Sequence, residues 1–472
     1  MKILFVQKNL FPYFGVMSLC GYLRQNGHKC SIIIDSQVQN KNFIAKVSEI
    51  KPDVIGFSVM STEHDWLAEK ARFLKLKFPS IPIIVGGVHA IIYPEAIAAI
   101  PEVDYVCYGE GELTLQQLFT SIGSNVPVEQ VRGIFLKKDG KICKTELNDL
   151  IKIDAFPEDR SVYYDEYKML KDTPMKNFSS SRGCPFQCGF CANASLQKRF
   201  EGKGPYVRHK AVGMFISELE HVKNNYGMKS IYIADDLFVF NKKWLEEFSV
   251  LYKDRINVPF ICTCRADMLD KETARLLAYA GCHTVTFGVE SGNEKIRTEV
   301  LKKHISDKQL LDAAALLTKE GIRIQTSNMF CLPEETIDDA IKTIDLNIKM
   351  KTSFTMASIF LPLPGTELTK FCINKGILDP DYSFKDMPRS FITHSVLRLE
   401  NKNAIERLQK VAALIIQYPK LRNILIFSAK HIRIYAIHFF LYIVGTVLRF
   451  RSERKLTFLE SAGYLWSYRK NV

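Results

Sequence analysis

The sequence predicts an α/β protein in three parts: a doubly wound parallel sheet, a parallel (β/α) barrel or partial barrel of six units, and a small, mostly helical, basic carboxyl-terminal region. Three observations predict it. Short β-rich runs alternate with helical patterns from residue 1 to about 120, six strand-then-helix units follow between about 176 and 365, and residues 401–472 hold 13 Lys+Arg against 3 Asp+Glu around an apolar run. The 472 residues, 47% hydrophobic and 24% charged, exclude a disordered tail, a collagen-like chain and a polytopic membrane protein. That length leaves ample core without disulfide or zinc staples. The opening Met1-Lys2-Ile3-Leu4-Phe5-Val6 lacks the long apolar core of a secretory signal, which predicts a cytoplasmic protein. In a reducing compartment the twelve cysteines point to buried thiols and a metal or cluster site.

In the first part, strands are expected at 2–6, 30–35, 53–58, 83–85 and 104–108, with helices at 16–25, closed by Gly27, and 65–77, closed by Pro79. Doubly wound sheets hold ligands at the carboxyl ends of their strands. There stand Ser58, the run Gly86-Gly87-Val88-His89 and the turn Gly109-Glu110-Gly111-Glu112, whose glycines let a large flat ligand approach the backbone.

The next stretch, Ser181-Arg182-Gly183-Cys184-Pro185-Phe186-Gln187-Cys188-Gly189-Phe190-Cys191, has the spacing C-x-x-x-C-x-x-C. Structural zinc needs four ligands, usually in two separated pairs. Three close thiolates can hold three irons of a [4Fe–4S] cluster and leave the fourth open to a small molecule; a partial zinc knuckle or a chance spacing is the alternative for the cysteines taken alone. Barrel strands are expected at 177–181, 230–234, 260–263, 284–288, 323–326 and 355–360, and Ser306 with Gln309 has the form of a capping box ahead of an apolar run. At the carboxyl ends of these strands stand Asp235, Asp236, Arg265 and Glu290. An ion pair between Arg265 and Glu290 is the plain structural alternative for those two.

The front segment resembles the cobalamin-binding domain of many radical S-adenosylmethionine (radical SAM) enzymes. The likeness is carried by Phe11-Pro12 ahead of a helix ending Gly27-His28, by Gly86-Gly87-Val88-His89 with Pro94-Glu95 after it, and by Gly109-Glu110-Gly111-Glu112. The Asp-x-His-x-x-Gly motif that supplies a cobalt ligand in classical cobalamin domains is absent. The cysteine spacing, with Phe190 before the last cysteine, is similar to the radical SAM signature. Where relatives have Gly-Leu-Pro-Gly-Glu-Thr, this chain has Cys331-Leu332-Pro333-Glu334-Glu335-Thr336, with two glycines replaced.

The resemblance implies a Rossmann-like cobalamin (B12)-binding domain at 1–130, a linker at 131–170, a partial (β/α)6 TIM-type radical SAM barrel at 171–385 and a basic helical region at 386–472. It implies that Cys184, Cys188 and Cys191 hold the [4Fe–4S] cluster and that Phe190 lies beside it. Asp235 and Asp236 would accept hydrogen bonds from the methionine ammonium, Arg265 would meet the carboxylate, and Glu290 the ribose or methionine moiety. Ser58, Gly86, Gly87, His89, Gly109 and Glu110 would border the cobalamin. For His89 a helix-capping or core role stands beside ligand contact, and for the whole front domain a sheet that binds no corrinoid is the alternative.

The activity implied is reductive cleavage of S-adenosylmethionine to a 5′-deoxyadenosyl radical, with an external donor of flavodoxin or ferredoxin type, and methylation of an unactivated carbon of a lipid or secondary metabolite. Radical chemistry of another type (ring formation, rearrangement or carbon–carbon coupling) and a non-catalytic corrinoid or cluster sensor are the alternatives.

The apolar run 434–448 is flanked by Lys430, His431, Arg433, Arg449 and Arg451. Fifteen residues fall short of the roughly 20 that span a bilayer. Two readings follow: peripheral contact with the inner face of the cytoplasmic membrane through 420–472, which suits a lipid-linked substrate, or a buried helix of a terminal domain. The aromatics are continuous with aliphatics and do not interleave with the basic residues, so no nucleic acid is expected.

Overall fold

Alternation of strand and helix builds two sheets. The computed structural model describes residues 1–124, 126–388 and 390–454; residues 455–472, the end of the expected membrane-contact segment, lie outside them. The chain divides into two units, residues 1–185 with 192–229, and residues 186–191 with 230–472.

In the first unit β1 (Lys2–Gln7), β2 (Lys29–Ile34), β3 (Val54–Ser58), β4 (Ile83–Gly86) and β5 (Tyr105–Cys107) run parallel, each within one residue of expectation at either end. They are continuous apolar runs because both faces are covered by helices; Leu4, Val6, Ile55, Phe57 and Val85 join Leu67 and Leu74 in one core. A hairpin of β6 (Ile134–Lys138) and β7 (Lys141–Lys144) extends the sheet antiparallel, giving the order β2-β1-β3-β4-β5-β6-β7. Its turn, Asp139-Gly140, has φ of 49° and 73°, the paired left-handed residues of a tight hairpin turn. The order reverses between β1 and β3, which makes that gap the switch point where ligands sit in such sheets.

The first unit continues through β8 (Met175–Phe178) and a short ribbon in which β9 (Ser181–Arg182) pairs antiparallel with β10 (Arg208–His209). The helix Ala192–Arg199 lies between the two ribbon strands in sequence, and it packs against the helix Val88–Ile92 that follows Gly87.

In the second unit β11 (Ser230–Ile233), β12 (Phe260–Cys264), β13 (Cys282–Glu290), β14 (Arg323–Phe330) and β15 (Phe354–Ile359) are parallel, within the six-stranded order β15-β14-β13-β12-β11-β8 of a curled half-barrel. β14 runs four residues past its expected end. The extension holds because Asn328 is satisfied, donating to Thr355 Oγ1 (2.6 Å) and accepting from Asn347 Nδ2 (2.9 Å) on the helix Ile337–Lys349. Ser306 caps the helix Asp307–Lys319 as expected, its hydroxyl accepting from Gln309 N (3.2 Å) while Gln309 Oε1 accepts from Ser306 N (2.9 Å).

The helix Lys402–Gln417 is buried almost all round. It packs Leu408, Val411 and Ile415 against Phe330, Ile344 and Ile359. Residues 435–448 of the run lie in the helix Tyr435–Arg454, which packs Leu441 and Leu448 on the core of Lys402–Gln417 and buries His438 at 3.1 Å from Ser428 Oγ, but leaves Ile437, Phe440 and Ile443 in solvent. The segment is therefore half covered. Among the described residues no helix is long and apolar enough to cross a membrane.

Candidate functional site

At the carboxyl edge of the front sheet, Gly86 and Gly87 lie against the exit of β3. Val59 N donates to Gly86 O (3.1 Å) and His89 N to Val59 O (3.2 Å). Gly87 has φ +91°, and a Cβ there would stand 2.7 Å from Val59 N, so only glycine closes this turn. Around it the exits of β1, β3 and β4 expose Phe11, Met60 and Val88, each 40–46% accessible. Apolar side chains exposed together at a switch point, beside half-buried Ser58 and Gly86, are the surface a flat macrocycle needs. The residues present fit a corrinoid.

His89 is placed differently from the glycines. It is fully buried, with Nε2 2.9 Å from His64 Nδ1 and Nδ1 3.1 Å from Ser61 Oγ. Burial, and then the neighbouring His64, lower its pKa to about 3, so the ring is neutral at physiological pH. Gly109 is held close by Leu147, whose Cδ2 would meet a Cβ at 2.8 Å. Glu110 receives Arg182 and Arg208 at 2.8 and 2.7 Å.

Of the three motif cysteines, Cys184 belongs to the first unit and Cys188 and Cys191 to the second. None is in a disulfide; Cys184 and Cys191 are partly accessible and Cys188 is buried. In the second unit the loop is fixed by its backbone: Gly189 N donates to Leu301 O (2.9 Å), Gly189 O accepts from Leu368 N (3.2 Å), and Cys191 N donates to Cys188 O (3.0 Å). Phe190 anchors the loop in the cluster of Leu301, Leu332, Phe360 and Leu361.

Arg265 is the charged partner of this loop. Its Nη1 points at Cys188 Sγ (3.5 Å), its plane stacks 3.5 Å from the centroid of Phe186, and Asp267 receives Nε and Nη2, each at 3.0 Å. A forked, stacked guanidinium directed at a sulfur offers it a charge-assisted hydrogen bond. Three thiols outside any disulfide, one of them met by a cation, have the donor chemistry that a cluster takes. Among the described residues no group of three or more His, Cys, Asp or Glu side chains stands in metal-holding geometry.

The alternative ion pair between Arg265 and Glu290 does not form. Glu290, at φ +65°, folds its carboxylate back over Gly288 and takes Lys303 Nζ at 2.8 Å, while Lys303 also donates to Gly288 O (2.7 Å). Asp235 is buried and Asp236 exposed at the exit of β11.

Where glycines are replaced after β14, Cys331 and Glu334 take the left-handed conformation that glycine would, at φ +60° and +64°. Glu335 holds the turn by accepting from Leu332 N (3.2 Å), and burial raises its pKa to about 8. Sequence reasoning missed Lys303, Asp267 and Phe186 as partners. Phe186 lies inside the cysteine motif and Asp267 two residues after Arg265, whereas nothing marked Lys303.

The B12-binding domain profile matches residues 3–119 and the radical SAM superfamily profile residues 178–346, together more than half the chain. An uncharacterized methyltransferase of Pyrococcus horikoshii is 29% identical over 78% of this chain and 80% of its own length. The anaerobic magnesium-protoporphyrin IX monomethyl ester cyclase of Rubrivivax gelatinosus is 25% identical over 78% of this chain and 69% of its own. In fold the chain resembles the cobalamin-dependent S-adenosylmethionine radical enzyme OxsB, solved with aqua-cobalamin and S-adenosylmethionine bound, at a TM-score of 0.72 and 15% identity over 99% of this chain and 74% of that one.

Proposed function

Because the chain belongs to the radical SAM enzymes that carry a B12-binding domain, we propose that it transfers a methyl group to an unactivated carbon. The observation that carries this reading is the front edge: a chain whose chemistry needed only the radical would have no use for the glycine turn and exposed apolar rim of Phe11, Met60 and Val88. When bound, the cluster, S-adenosylmethionine and cobalamin supply one-electron cleavage of a sulfonium and a transferable methyl group.

The chain's own residues bind and position. Cys184, Cys188 and Cys191 supply three iron ligands, and Arg265 compensates the thiolate charge at Cys188 from a plane fixed by Phe186 and Asp267. Lys303 ties the Glu290 side chain at the exit of β13, where it would accept hydrogen bonds from the nucleoside. Buried Asp235 offers its carboxylate to the methionine ammonium. A flavodoxin- or ferredoxin-type donor reduces the cluster.

The test needs no knowledge of the substrate. Anaerobically reconstituted protein is given iron, sulfide, reduced hydroxocobalamin and S-adenosylmethionine labelled at the methyl carbon. Methyl transfer predicts release of S-adenosylhomocysteine with the label passing to the corrinoid. If 5′-deoxyadenosine forms but S-adenosylhomocysteine never does, the methyl-transfer reading fails in favour of a ring-forming or rearranging enzyme, the reading that the cyclase relative favours. If neither forms, the sensor gains.

We infer also that the protein meets an anionic membrane surface through its carboxyl-terminal helices, a location that suits a lipid-linked substrate. On Arg422–His431 and Tyr435–Arg454 the accessible side chains include Ile424 (66%), Phe427 (60%) and Phe440 (63%), beside Lys430 and His431. Apolar side chains with basic neighbours complement acyl chains under acidic headgroups. Cosedimentation with vesicles of phosphatidylcholine and phosphatidylglycerol, lost in an Ile424→Glu, Phe427→Glu double variant, is expected. Equal recovery of both proteins, or binding that appears only after residues 455–472 are removed, would overturn it, the second by showing that the protein's own tail covers the face.

A further inference from the structure

The turn Gly109-Glu110-Gly111-Glu112 follows β5, at the edge of the front sheet where the corrinoid surface lies. Its two carboxylates are nevertheless spent on another part of the first unit. Glu110 Oε1 accepts from Arg182 Nη1 (2.8 Å) and Arg208 Nη2 (2.7 Å), and Glu110 Oε2 accepts from Arg208 Nη1 (2.9 Å). Glu112 Oε1 accepts from Arg182 Nη2 (2.6 Å) and from the Ser18 hydroxyl (2.7 Å), which itself receives Arg182 Nη2 at 2.6 Å. Arg208 Nη1 is further held by Ile151 O (2.7 Å). Burial alone would raise the Glu110 carboxyl, but the hydrogen bonds and charges of the two arginines outweigh it and hold the pKa near 2.

Arg182 and Arg208 face each other across the β9–β10 ribbon. Two guanidiniums opposed on neighbouring strands repel unless an anion lies between them, so the ribbon closes only with Glu110 in place. The ribbon leads directly into the cluster loop. After Arg182 comes Gly183 at φ +90°, where a Cβ would stand 2.6 Å from Tyr206 O, and then Cys184, whose carbonyl accepts from Gln197 Nε2. With Arg182 clamped on one side and Tyr206 and Gln197 on the other, the backbone at Cys184 has one path.

We propose that Glu110 and Glu112 are positioning residues of the cluster loop: their carboxylates close the arginine ribbon that sets Cys184, and they are not corrinoid contacts. The inference rests on the reading of Cys184 as an iron ligand. It makes the edge of the front sheet the support of the first cluster cysteine, so the site of one cofactor borrows rigidity from the domain of the other.

The test compares wild type, Glu110→Gln and Glu110→Asp, with Arg208→Gln as a milder break should Glu110→Gln not fold. Each is reconstituted anaerobically with iron and sulfide, then examined by iron content, by the electron paramagnetic resonance spectrum of the reduced cluster with and without S-adenosylmethionine, and by absorbance titration with hydroxocobalamin. The expectation for Glu110→Gln is at least a twofold loss of iron and an altered spectral response to S-adenosylmethionine, with cobalamin affinity within twofold of wild type and partial recovery in Glu110→Asp. An unchanged spectrum, a loss of cobalamin affinity alone, or equal loss of both cofactors would overturn the proposal. Wild-type protein that takes up no iron would sink the functional reading instead, which keeps the two failures apart.

Discussion

The two sheets solve the same backbone problem in opposite ways. At the exit of β4 in the front domain, the chain must turn with positive φ, and glycine takes the position: Gly87, at +91°, lies so close to Val59 that no other residue fits. At the exits of β13 and β14 the chain again turns with positive φ, but the residues are Glu290, Cys331 and Glu334. Each such residue costs on the order of 1 kcal/mol over glycine. The front edge thus closes its turn with bare backbone, whereas the barrel mouth keeps side chains where glycines would serve and holds them by tethers. Glu290 is tied by Lys303 and the 331–336 turn by Glu335.

The largest test of that contrast is Gly87→Ala. Its φ and ψ (91°, 177°) fall in a region open essentially to glycine, and the added methyl would overlap the Val59 backbone. A loss of about 3 to 5 kcal/mol of stability is expected, read as a fall in chemical-denaturation midpoint, with hydroxocobalamin affinity lost in parallel. A variant that melts like wild type would mean that the front turn is not locked.

Next comes Lys303→Met, which leaves Glu290 buried without its cation. Removing one member of a buried pair costs about 3 kcal/mol. Cleavage of S-adenosylmethionine should fall by more than tenfold while iron content stays at wild-type level, because the cysteine loop is fixed by separate contacts at Leu301 and Leu368. Cleavage preserved in this variant would show that Glu290 needs no tether.

Each region also buries a neutral titratable group, His89 in front and Glu335 at the barrel mouth, and their pH dependences run in opposite directions. His89 has a folded pKa of about 3 against 6.5 unfolded, lowered by burial and by His64, so the stability it contributes is present above pH 6.5 and is lost as pH falls toward 3. Glu335 has a folded pKa of about 8 against 4.5, raised by burial, so its contribution is present below pH 4.5 and is lost as pH rises through 8. One proton each sets a limiting slope of about 1.4 kcal/mol per pH unit. Hydrogen exchange by mass spectrometry on the full chain should show residues 83–93 loosening on the acid side and residues 328–336 on the alkaline side. His89→Gln and Glu335→Gln should each flatten one slope and leave the other.

This asymmetry also explains what was legible in the sequence. The parallel strands were legible because apolar runs between turn residues are local signals, and the cysteine loop because its spacing is. The end of β14 was not, since Asn328 looks like a strand terminator until Asn347 and Thr355 satisfy it from other elements. Nor was the job of Glu110: its partners lie 72 and 98 positions along the chain, and a glutamate between glycines in a turn reads the same whether it faces a ligand or two arginines. Lys303 is invisible for the same reason, as one of two adjacent lysines of which only Lys303 turns inward. Half-burial of residues 435–448 was undecided because this apolar run carries two faces that only packing separates.

The smallest effect separates strain from packing within the barrel mouth itself. Glu334→Gly removes the left-handed strain of a residue whose side chain is about half exposed and whose pairing with Lys375 (2.8 Å) is solvent-screened and worth little. Gain and loss therefore do not cancel, and a rise of about 1 kcal/mol in stability is expected. Cys331→Gly relieves the same strain but empties a fully buried position packed with Phe330, Ile344 and Ile359, so burial lost offsets strain relieved and the net change should be near zero. Denaturant melts of the two variants side by side decide the matter. If Glu334→Gly destabilises, the left-handed backbone at this turn carries no strain, and the contrast between a glycine-built front edge and a tethered barrel mouth reduces to Glu290 alone.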